Sequence, residues 1–139
     1  MKDESSEARS RQMATVRSKN TKPEMKVRRL VFSMGYRYRL HASNLPGKPD
    51  LVFASRKKII FIHGCFWHRH EGCKLATTPA SNQEYWLPKF QRNVERDRES
   101  LEVLNKLGWD VLVVWECQLK DVSNLTEKLR SFLNSKSQF

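Results

Sequence analysis

The sequence lacks any long apolar run, which argues against a membrane span and a secretory leader. Its first residues, MKDESSEARSRQM, are polar and charged, and no later hydrophobic stretch approaches the roughly 20 residues that a spanning helix needs. Internal repeats and low-complexity tracts are also absent. We therefore expect a cytoplasmic protein, and a length of 139 residues predicts a single domain.

Cysteine and acidic residues are both scarce. Three cysteines, an odd number in a reducing compartment, favour metal ligation or simple burial over disulfide bonds. The chain has only 15 Asp and Glu residues but 26 Lys and Arg residues, which gives a net charge of +11. Such a balance favours a polyanionic partner, most often nucleic acid, although many soluble proteins are basic without binding it.

The first 20 residues are polar and basic, which predicts a flexible arm. A single domain is predicted over residues 21–139. Thr21-Lys22-Pro23-Glu24 predicts a helix start, and Gly35 its end. YRYRLH (36–41) alternates as a strand does, and DLVFA and KIIFIH predict a hairpin around residues 55–57. Pairing about that turn places Asp50 opposite residues 61–63.

The second half predicts two further helices and a strand. Ser81-Asn82-Gln83-Glu84 repeats the helix-start signature, with Pro88 expected to break or kink the helix there. A charged helix is predicted over residues 90–107, then a strand DVLVVWE buried on both faces, then a helix capped by Ser123. The buried side of the charged helix is predicted to carry Val94, Leu101, Leu104 and Leu107. The whole order predicts an α/β fold with a mixed central sheet flanked by helices.

A cluster of possible metal ligands lies in FIHGCFWHRHEGC (61–73). Cys65, His70 and Cys73 fall within nine residues, and Cys117 follows the last predicted strand. Neighbouring strands would bring the three cysteines together at one sheet edge, and a Cys3His set suits structural tetrahedral Zn2+. The alternative is three buried reduced thiols and a surface histidine, because free cysteine is often buried.

A carboxylate and a histidine near this cluster suggest chemistry. Asp50 starts an apolar strand, where it could bind Mg2+ together with the main-chain carbonyl of Ile62, or simply form an Asx turn. His68 could act as a general base, or could be a spare ligand or a surface residue. Asp97 could orient His68, or be one more charge on a solvated helix face.

Three aromatic residues complete the candidate site. Phe66, Trp67 and Trp86 lie outside a regular core pattern, on a basic chain. Aromatic side chains of this kind can wedge between base pairs or stack on a displaced base. They could equally wrap the metal cluster or fill the core.

Three segments together resemble the very short patch repair mismatch endonucleases, the Vsr family. They are LPGKPDLVF, FIHGCFWHRHEGC and YWLPKFQRNVERDRESLEVLNKLGWDVLVVWEC, and the resemblance covers roughly residues 10–120. It implies a fold similar to the type II restriction endonucleases. The implied activity is a nick in one strand of double-stranded DNA, 5′ to the thymine of a T:G mismatch that arises from deaminated 5-methylcytosine.

The resemblance also implies a role for individual residues. Asp50 would hold one or two Mg2+ ions, His68 would be the base with Asp97 as its partner, and His63 would contact the scissile phosphate. Glu24 would act through water on the metal. The implied zinc ligands are Cys65, His70, Cys73 and Cys117, and the implied intercalating residues are Phe66, Trp67 and Trp86, with Met13 in the basic arm entering the DNA from the other groove.

Two positions depart from the family pattern. Relatives carry threonine where this chain has Ile62, and HRHEGC holds one extra residue that Gly72 would accommodate. Two other functions compete with mismatch nicking: a zinc-stabilised DNA-binding module without catalysis, and a nuclease of the same fold with another mismatch or site specificity. A monomer suffices for cutting one strand.

Overall fold

The elements of the fold come in the predicted order. The structure is a computed structural model, and it describes residues 21–42 and 44–135, so the predicted arm and Met13 lie outside the described residues. The helices are α1 (Lys22–Ser33), α2 (Gln83–Lys106) and α3 (Val122–Asn134). The strands are β1 (Arg39–Leu40), β2 (Leu51–Phe53), β3 (Lys58–His63) and β4 (Asp110–Trp115), with short 3-10 turns at Ala54–Arg56 and Glu116–Lys120.

The strands form one mixed sheet in the order β1-β2-β3-β4. β1, β2 and β3 are antiparallel neighbours, whereas β4 runs parallel to β3. Leu51 pairs with Ile60, so the register continues to place Asp50 opposite Phe61, inside the predicted range. The parallel ladder ends with His63 opposite Trp115, which brings the segments after both strands to one edge of the sheet. The predicted mixed α/β fold is confirmed.

Side-chain alternation along the strands builds a core on each face of the sheet. On one face, β-strand residues pack with α1 and α3 in a cluster that includes Val27, Val31, Leu51, Phe53, Ile60, Leu125, Leu129 and Leu133. The smaller cluster on the other face contains Val52, Ile59, Phe61 and Leu104 of α2. The sheet therefore lies between helices, as binary patterning of the strands and helices predicts.

The predictions for α2 were partly wrong. The helix begins at Gln83 and passes through Pro88 instead of starting near residue 90. Proline at the sixth helical position removes one main-chain N–H, and the buried side chains of Trp86 and Phe90 on either side of it anchor the helix to the domain. On the predicted buried side Leu104 is fully buried, but Val94 and Leu107 are 44% and 55% exposed.

Two predictions near the C-terminal end were also wrong. β4 is not buried on both faces: only Val114 is fully buried, because β4 is an edge strand of the described sheet. The cap of α3 is Asp121 rather than Ser123, since the Asp121 side chain accepts a hydrogen bond from the N–H of Asn124 at 3.1 Å.

The ends of α1 agree with the prediction. The Thr21 hydroxyl accepts from the N–H of Glu24 at 3.3 Å, and Gly35 follows the last turn with φ +95°. None of the helices in the described ranges is long and apolar enough to cross a membrane. The cytoplasmic location stays a prediction.

Candidate active site and metal centre

Asp50 lies at the edge of the sheet where β2 begins. Its Oδ2 accepts a hydrogen bond from the main-chain N–H of Ile62 at 2.8 Å. Burial, and to a smaller extent the charge of Glu24, raise the pKa of Asp50 to about 6. The hydrogen bond from the Ile62 N–H and the charges on His41 and His68 act in the opposite direction. Through the Ile62 N–H, Asp50 is tied to β3 next to His63, whose ring stacks on that of His68.

The loop before Asp50 is held close to the rest of the fold. Gly47 has φ +75°, and a Cβ atom there would lie 2.9 Å from the Cβ of Ser100 and 3.1 Å from the Phe61 ring. Only glycine permits this approach to α2 and β3. The main-chain N–H of His41 donates to the Asp50 carbonyl at 3.1 Å, which closes the loop.

His68 is held between a carboxylate and a second imidazole. Its Nδ1 lies 2.6 Å from the Oδ2 of Asp97 on α2, and its ring stacks on that of His63 with centroids 3.8 Å apart. Because an ionised carboxylate only accepts hydrogen bonds, the His68 Nδ1 carries the proton and Nε2 is left as the basic atom. His68 and Asp97, two predicted site residues that are 29 positions apart in the chain, are thus in contact.

His63 is itself buried, with 6% of its surface exposed. Burial, and then the charge of His68, lower the pKa of His63 to about 3, so this ring is neutral. Its Nδ1 is buried without a hydrogen-bond partner among the described residues. The residue stays available as a neutral donor or acceptor beside His68.

Glu24 joins this site from the first turn of α1. The carboxylate is almost completely buried, and its Oε2 lies 2.8 Å from the Nε2 of His41 and 3.3 Å from the Nη1 of Arg28. The ligand atoms of Glu24, His41 and Asp50 lie within 4.8 Å of one another. Oxygen donors of this kind fit a divalent cation.

The four predicted zinc ligands converge where β3 and β4 end. The ligand atoms of Cys65, His70, Cys73 and Cys117 lie within 4.8 Å of one another. His70 Nδ1 is 3.6 Å from Cys65 Sγ and 3.4 Å from Cys117 Sγ. Tetrahedral Zn2+ with ordinary bond lengths separates sulfur and nitrogen ligands by about 3.5 Å, so the set fits this ion.

The surroundings of the Cys3His set suit bound thiolates. The His70 ring stacks on Trp115 at 4.2 Å, and Glu116 accepts from the N–H of Cys65 at 3.3 Å. Burial raises the pKa of the Cys65 thiol, whereas the main-chain N–H of Leu75 lowers that of Cys73. A bound cation would compensate the cost of ionising the buried Cys65.

The three predicted aromatic residues pack with a fourth, Phe90, and Phe66 contacts all the others. Phe66 contacts Trp67, Trp86 and Phe90 with ring centroids 5.2, 5.8 and 5.2 Å away. Trp86 and Phe90 are buried, whereas Phe66 and Trp67 are partly exposed. The predicted set therefore divides: Trp86 belongs to the packing of the domain, and Phe66 and Trp67 form its outer part.

Two basic side chains accompany these aromatics. The Lys89 ammonium lies 5.0 Å from the Trp67 ring centroid and donates to the Tyr85 hydroxyl at 3.3 Å. The Arg69 guanidinium stacks on Phe90 at 4.0 Å and donates to the Phe66 carbonyl at 3.1 Å. The aromatic surface is thus next to positive charge, as contact with a polyanion requires.

Comparison with known proteins identifies the family. The family model described as DNA mismatch endonuclease Vsr matches residues 3–74. The type II nicking enzyme V.XorIIP of Xanthomonas oryzae pv. oryzae is 50% identical over 122 residues, which cover 88% of this chain and 89% of that protein. The DNA mismatch endonuclease Vsr of Escherichia coli K12 is 42% identical over 120 residues, which cover 86% and 76%. The chain belongs to the Vsr family.

A further relative of the Vsr-family chain is the type II nicking enzyme V.NmeAIP of Neisseria meningitidis, which is 44% identical over 117 residues, covering 84% of this chain and 83% of that protein. Membership makes the chain a DNA endonuclease. The sheet edge brings together carboxylates and histidines, residue types that metal-assisted phosphodiester hydrolysis uses.

The sequence did not indicate every residue of this Vsr-family site. His41, Arg69, Lys89 and Phe90 all contact predicted site residues, but none carries a distinctive signal in the sequence. His41 ends an alternating strand pattern, Phe90 follows a helical period, and Arg69 and Lys89 are two of 26 basic residues. Their contacts with the site residues become visible only in the folded structure.

Proposed function

We propose that this Vsr-family endonuclease hydrolyses one strand of double-stranded DNA on the 5′ side of the thymine in a T:G mismatch, with Mg2+ as cofactor. The observation that supports this most directly is a continuous chain of contacts. Asp50 binds the Ile62 N–H, the adjacent His63 stacks on His68, and His68 contacts Asp97. Metal-binding and basic groups therefore share one edge of the sheet.

The proposed cation site consists of Asp50 and the main-chain carbonyl of Ile62. The N–H and C=O of one strand residue point to the same edge, and the Ile62 N–H already points to Asp50. The side chain of Ile62 is therefore unimportant for ligation. When bound, Mg2+ supplies positive charge that stabilises the phosphoryl oxygens and the leaving 3′ oxygen.

The side chains of the site would divide the remaining work. His68 Nε2 accepts a proton from the attacking water, while Asp97 holds the ring through Nδ1 and stabilises the imidazolium that forms. His63, neutral and buried, contacts the scissile phosphate. Glu24 orients water near the cation from α1. The Cys3His set holds Zn2+ and thereby fixes the loop that carries His68.

The mismatch preference is assigned to Phe66 and Trp67, supported by Trp86. Partly exposed aromatic rings on a basic surface suit insertion at a base step, and a T:G pair is less costly to unstack than a matched pair. The fold is proposed to be the restriction-endonuclease core, which its mixed sheet between helices supports. The enzyme would act as a monomer.

A nicking assay tests the proposal. Duplexes with a T:G pair or with matched bases, labelled on either strand, are incubated with Mg2+ and wild-type protein, Asp50→Ala or the exposed control Glu102→Ala. We expect one labelled product, from the strand with the thymine, for wild type and Glu102→Ala. Asp50→Ala should bind DNA without cutting it. Binding without cutting by the wild-type protein would instead indicate a non-catalytic zinc-stabilised module.

A second candidate is a family nuclease with another specificity. Two similar relatives, V.XorIIP and V.NmeAIP, carry the description of type II nicking enzymes rather than mismatch endonuclease. A panel of all mismatches in several sequence contexts separates the two functions. Equal cutting of T:G and matched duplexes would exclude mismatch repair.

A further inference from the structure

His41 lies beside Asp50 in a position that needs explanation. Its backbone is left-handed, with φ +49°, a region that non-glycine residues rarely adopt. Strained residues of this kind persist where surrounding contacts hold them, and they concentrate at functional sites. Here the contacts are the hydrogen bond from its N–H to the Asp50 carbonyl at 3.1 Å and the approach of its ring to Glu24.

The geometry of the ring suits a shared cation. His41 Nε2 lies 2.8 Å from Glu24 Oε2, and the ligand atoms of these residues and Asp50 lie within 4.8 Å of one another. Two adjacent ligands of an octahedral cation with bonds of about 2.1–2.2 Å are about 3 Å apart. The three side chains come from α1, the loop after β1 and the start of β2, so the fold as a whole assembles them.

The charge of this group also favours a cation. Glu24 is 1% exposed and Asp50 is partly buried, so two neighbouring carboxylates are withdrawn from water. Arg28, at 3.3 Å, and His41 lie against Glu24, and the Ile62 N–H binds Asp50. Buried carboxylates of this kind are stable where they are paired or bind a metal ion.

We propose that His41 Nε2 is a direct ligand of a second divalent cation, which Glu24 and Asp50 also ligate beside the ion at the Ile62 carbonyl, and that this nitrogen makes the second position prefer Mn2+ to Mg2+. The inference rests on the metal-dependent site of the proposed function. Carboxylate and carbonyl oxygens suit both Mg2+ and Mn2+, but a nitrogen ligand is tolerated better by transition-metal ions than by the harder Mg2+. His41 thus shifts an otherwise all-oxygen ligand set toward those ions.

Electron paramagnetic resonance of bound Mn2+ tests this ligand without reference to activity. Zinc-loaded full-length protein is titrated with Mn2+, free and with a T:G duplex, and pulsed spectra are examined for the 14N coupling of a coordinated imidazole. We expect this coupling in the wild type. The variant His41→Asn should abolish it and weaken Mn2+ binding about tenfold, with a smaller change for Mg2+ measured by competition.

The variants separate His41 from its neighbours. Asparagine tolerates the left-handed backbone, so His41→Asn keeps the loop conformation, and His41→Gln provides a second replacement. His63→Gln removes another imidazole of the site and should retain the coupling. The inference is overturned if wild-type protein binds no Mn2+, if bound Mn2+ shows no 14N coupling, or if the coupling survives in the His41 variants.

The result is distinguishable from that of the nicking assay. Nicking of the T:G duplex without 14N coupling would overturn the role of His41 and leave the proposed function standing. Coupling that depends on His41, in a protein that nicks no duplex, would overturn the proposed function and leave the metal ligand standing.

Discussion

The Asp97 carboxylate lies 2.6 Å from the Nδ1 of His68, although 29 positions separate the two residues in the chain. One residue belongs to the middle of α2 and the other to the loop after β3. The contact fixes which nitrogen of His68 carries the proton. It therefore leaves Nε2 as the basic atom of a ring that stacks on His63.

Replacing Asp97 by asparagine should slow nicking by about 100-fold, because the imidazolium that forms would lose its stabilising charge and His68 its fixed tautomer. DNA affinity and the melting temperature should change little. Single-turnover nicking of a labelled T:G duplex measures the effect. Glu99→Gln, an exposed change on the same helix, is the control. A wild-type rate for Asp97→Asn would exclude a catalytic contribution from this pair.

Replacing Cys117 by serine should remove one of four ligands and lower Tm by about 10 °C or more, because zinc binding contributes to folding. Metal analysis should find about one zinc per wild-type chain and much less in the variant. A strong chelator should destabilise wild-type protein but barely change Cys117→Ser, which makes the chelator an internal control. Well-folded wild-type protein without zinc would contradict the prediction.

Trp67→Ala and Trp86→Ala should have different consequences. Trp86 is 7% exposed, so its loss should cost about 3–5 kcal/mol of unfolding free energy in urea denaturation. Trp67 is partly exposed, and its loss should reduce the preference for T:G over matched duplexes about tenfold with a smaller effect on stability. Equal losses of discrimination and general DNA affinity in Trp67→Ala would assign this ring to packing alone.

Arg69→Met should destabilise the loop that follows the Cys3His segment. The guanidinium donates to the carbonyls of Ala76 and Thr77 at 2.9 and 3.0 Å, in addition to that of Phe66. Without these donors we expect a loss of about 1–3 kcal/mol in urea denaturation. Arg69→Lys should rescue little, since an ammonium cannot reproduce the planar fork. Arg92→Met, an exposed change on α2, should be neutral.

Much of the fold was accessible from local patterns. The Thr21 cap, Gly35 and the alternation in KIIFIH each report on a few adjacent residues, so the element order and the hairpin register were predicted correctly. The failures have tertiary causes. α2 continues past Pro88, where Trp86 and Phe90 pack into the domain. β4 is nearly continuous in apolar residues, but it lies at the sheet edge and is therefore only partly buried.

The candidate site was less accessible. The chemistry of the residues suggested Asp50, His68 and Asp97 as candidates beside plainer alternatives, and the family resemblance gave each a role. The structure places His68 against Asp97 and Asp50 against the Ile62 N–H. The sequence did not indicate His41, because a histidine at the end of an alternating strand predicts only an exposed side chain. The ring turns toward Glu24 because the His41 backbone is left-handed and the His41 N–H is bonded to the Asp50 carbonyl. Both features depend on contacts with residues distant in the sequence.

The parallel pairing of β3 with β4 has a consequence for biosynthesis. Cys117 lies 47 positions after His70, beyond the strand that completes the sheet. Synthesis proceeds from the N-terminus, so a nascent chain that has not yet reached Cys117 carries three of the four cluster side chains. The segment bearing His68 therefore acquires its full set of anchors only after β4 and Cys117 have been synthesised, so this segment cannot be fixed before β4 has joined the sheet.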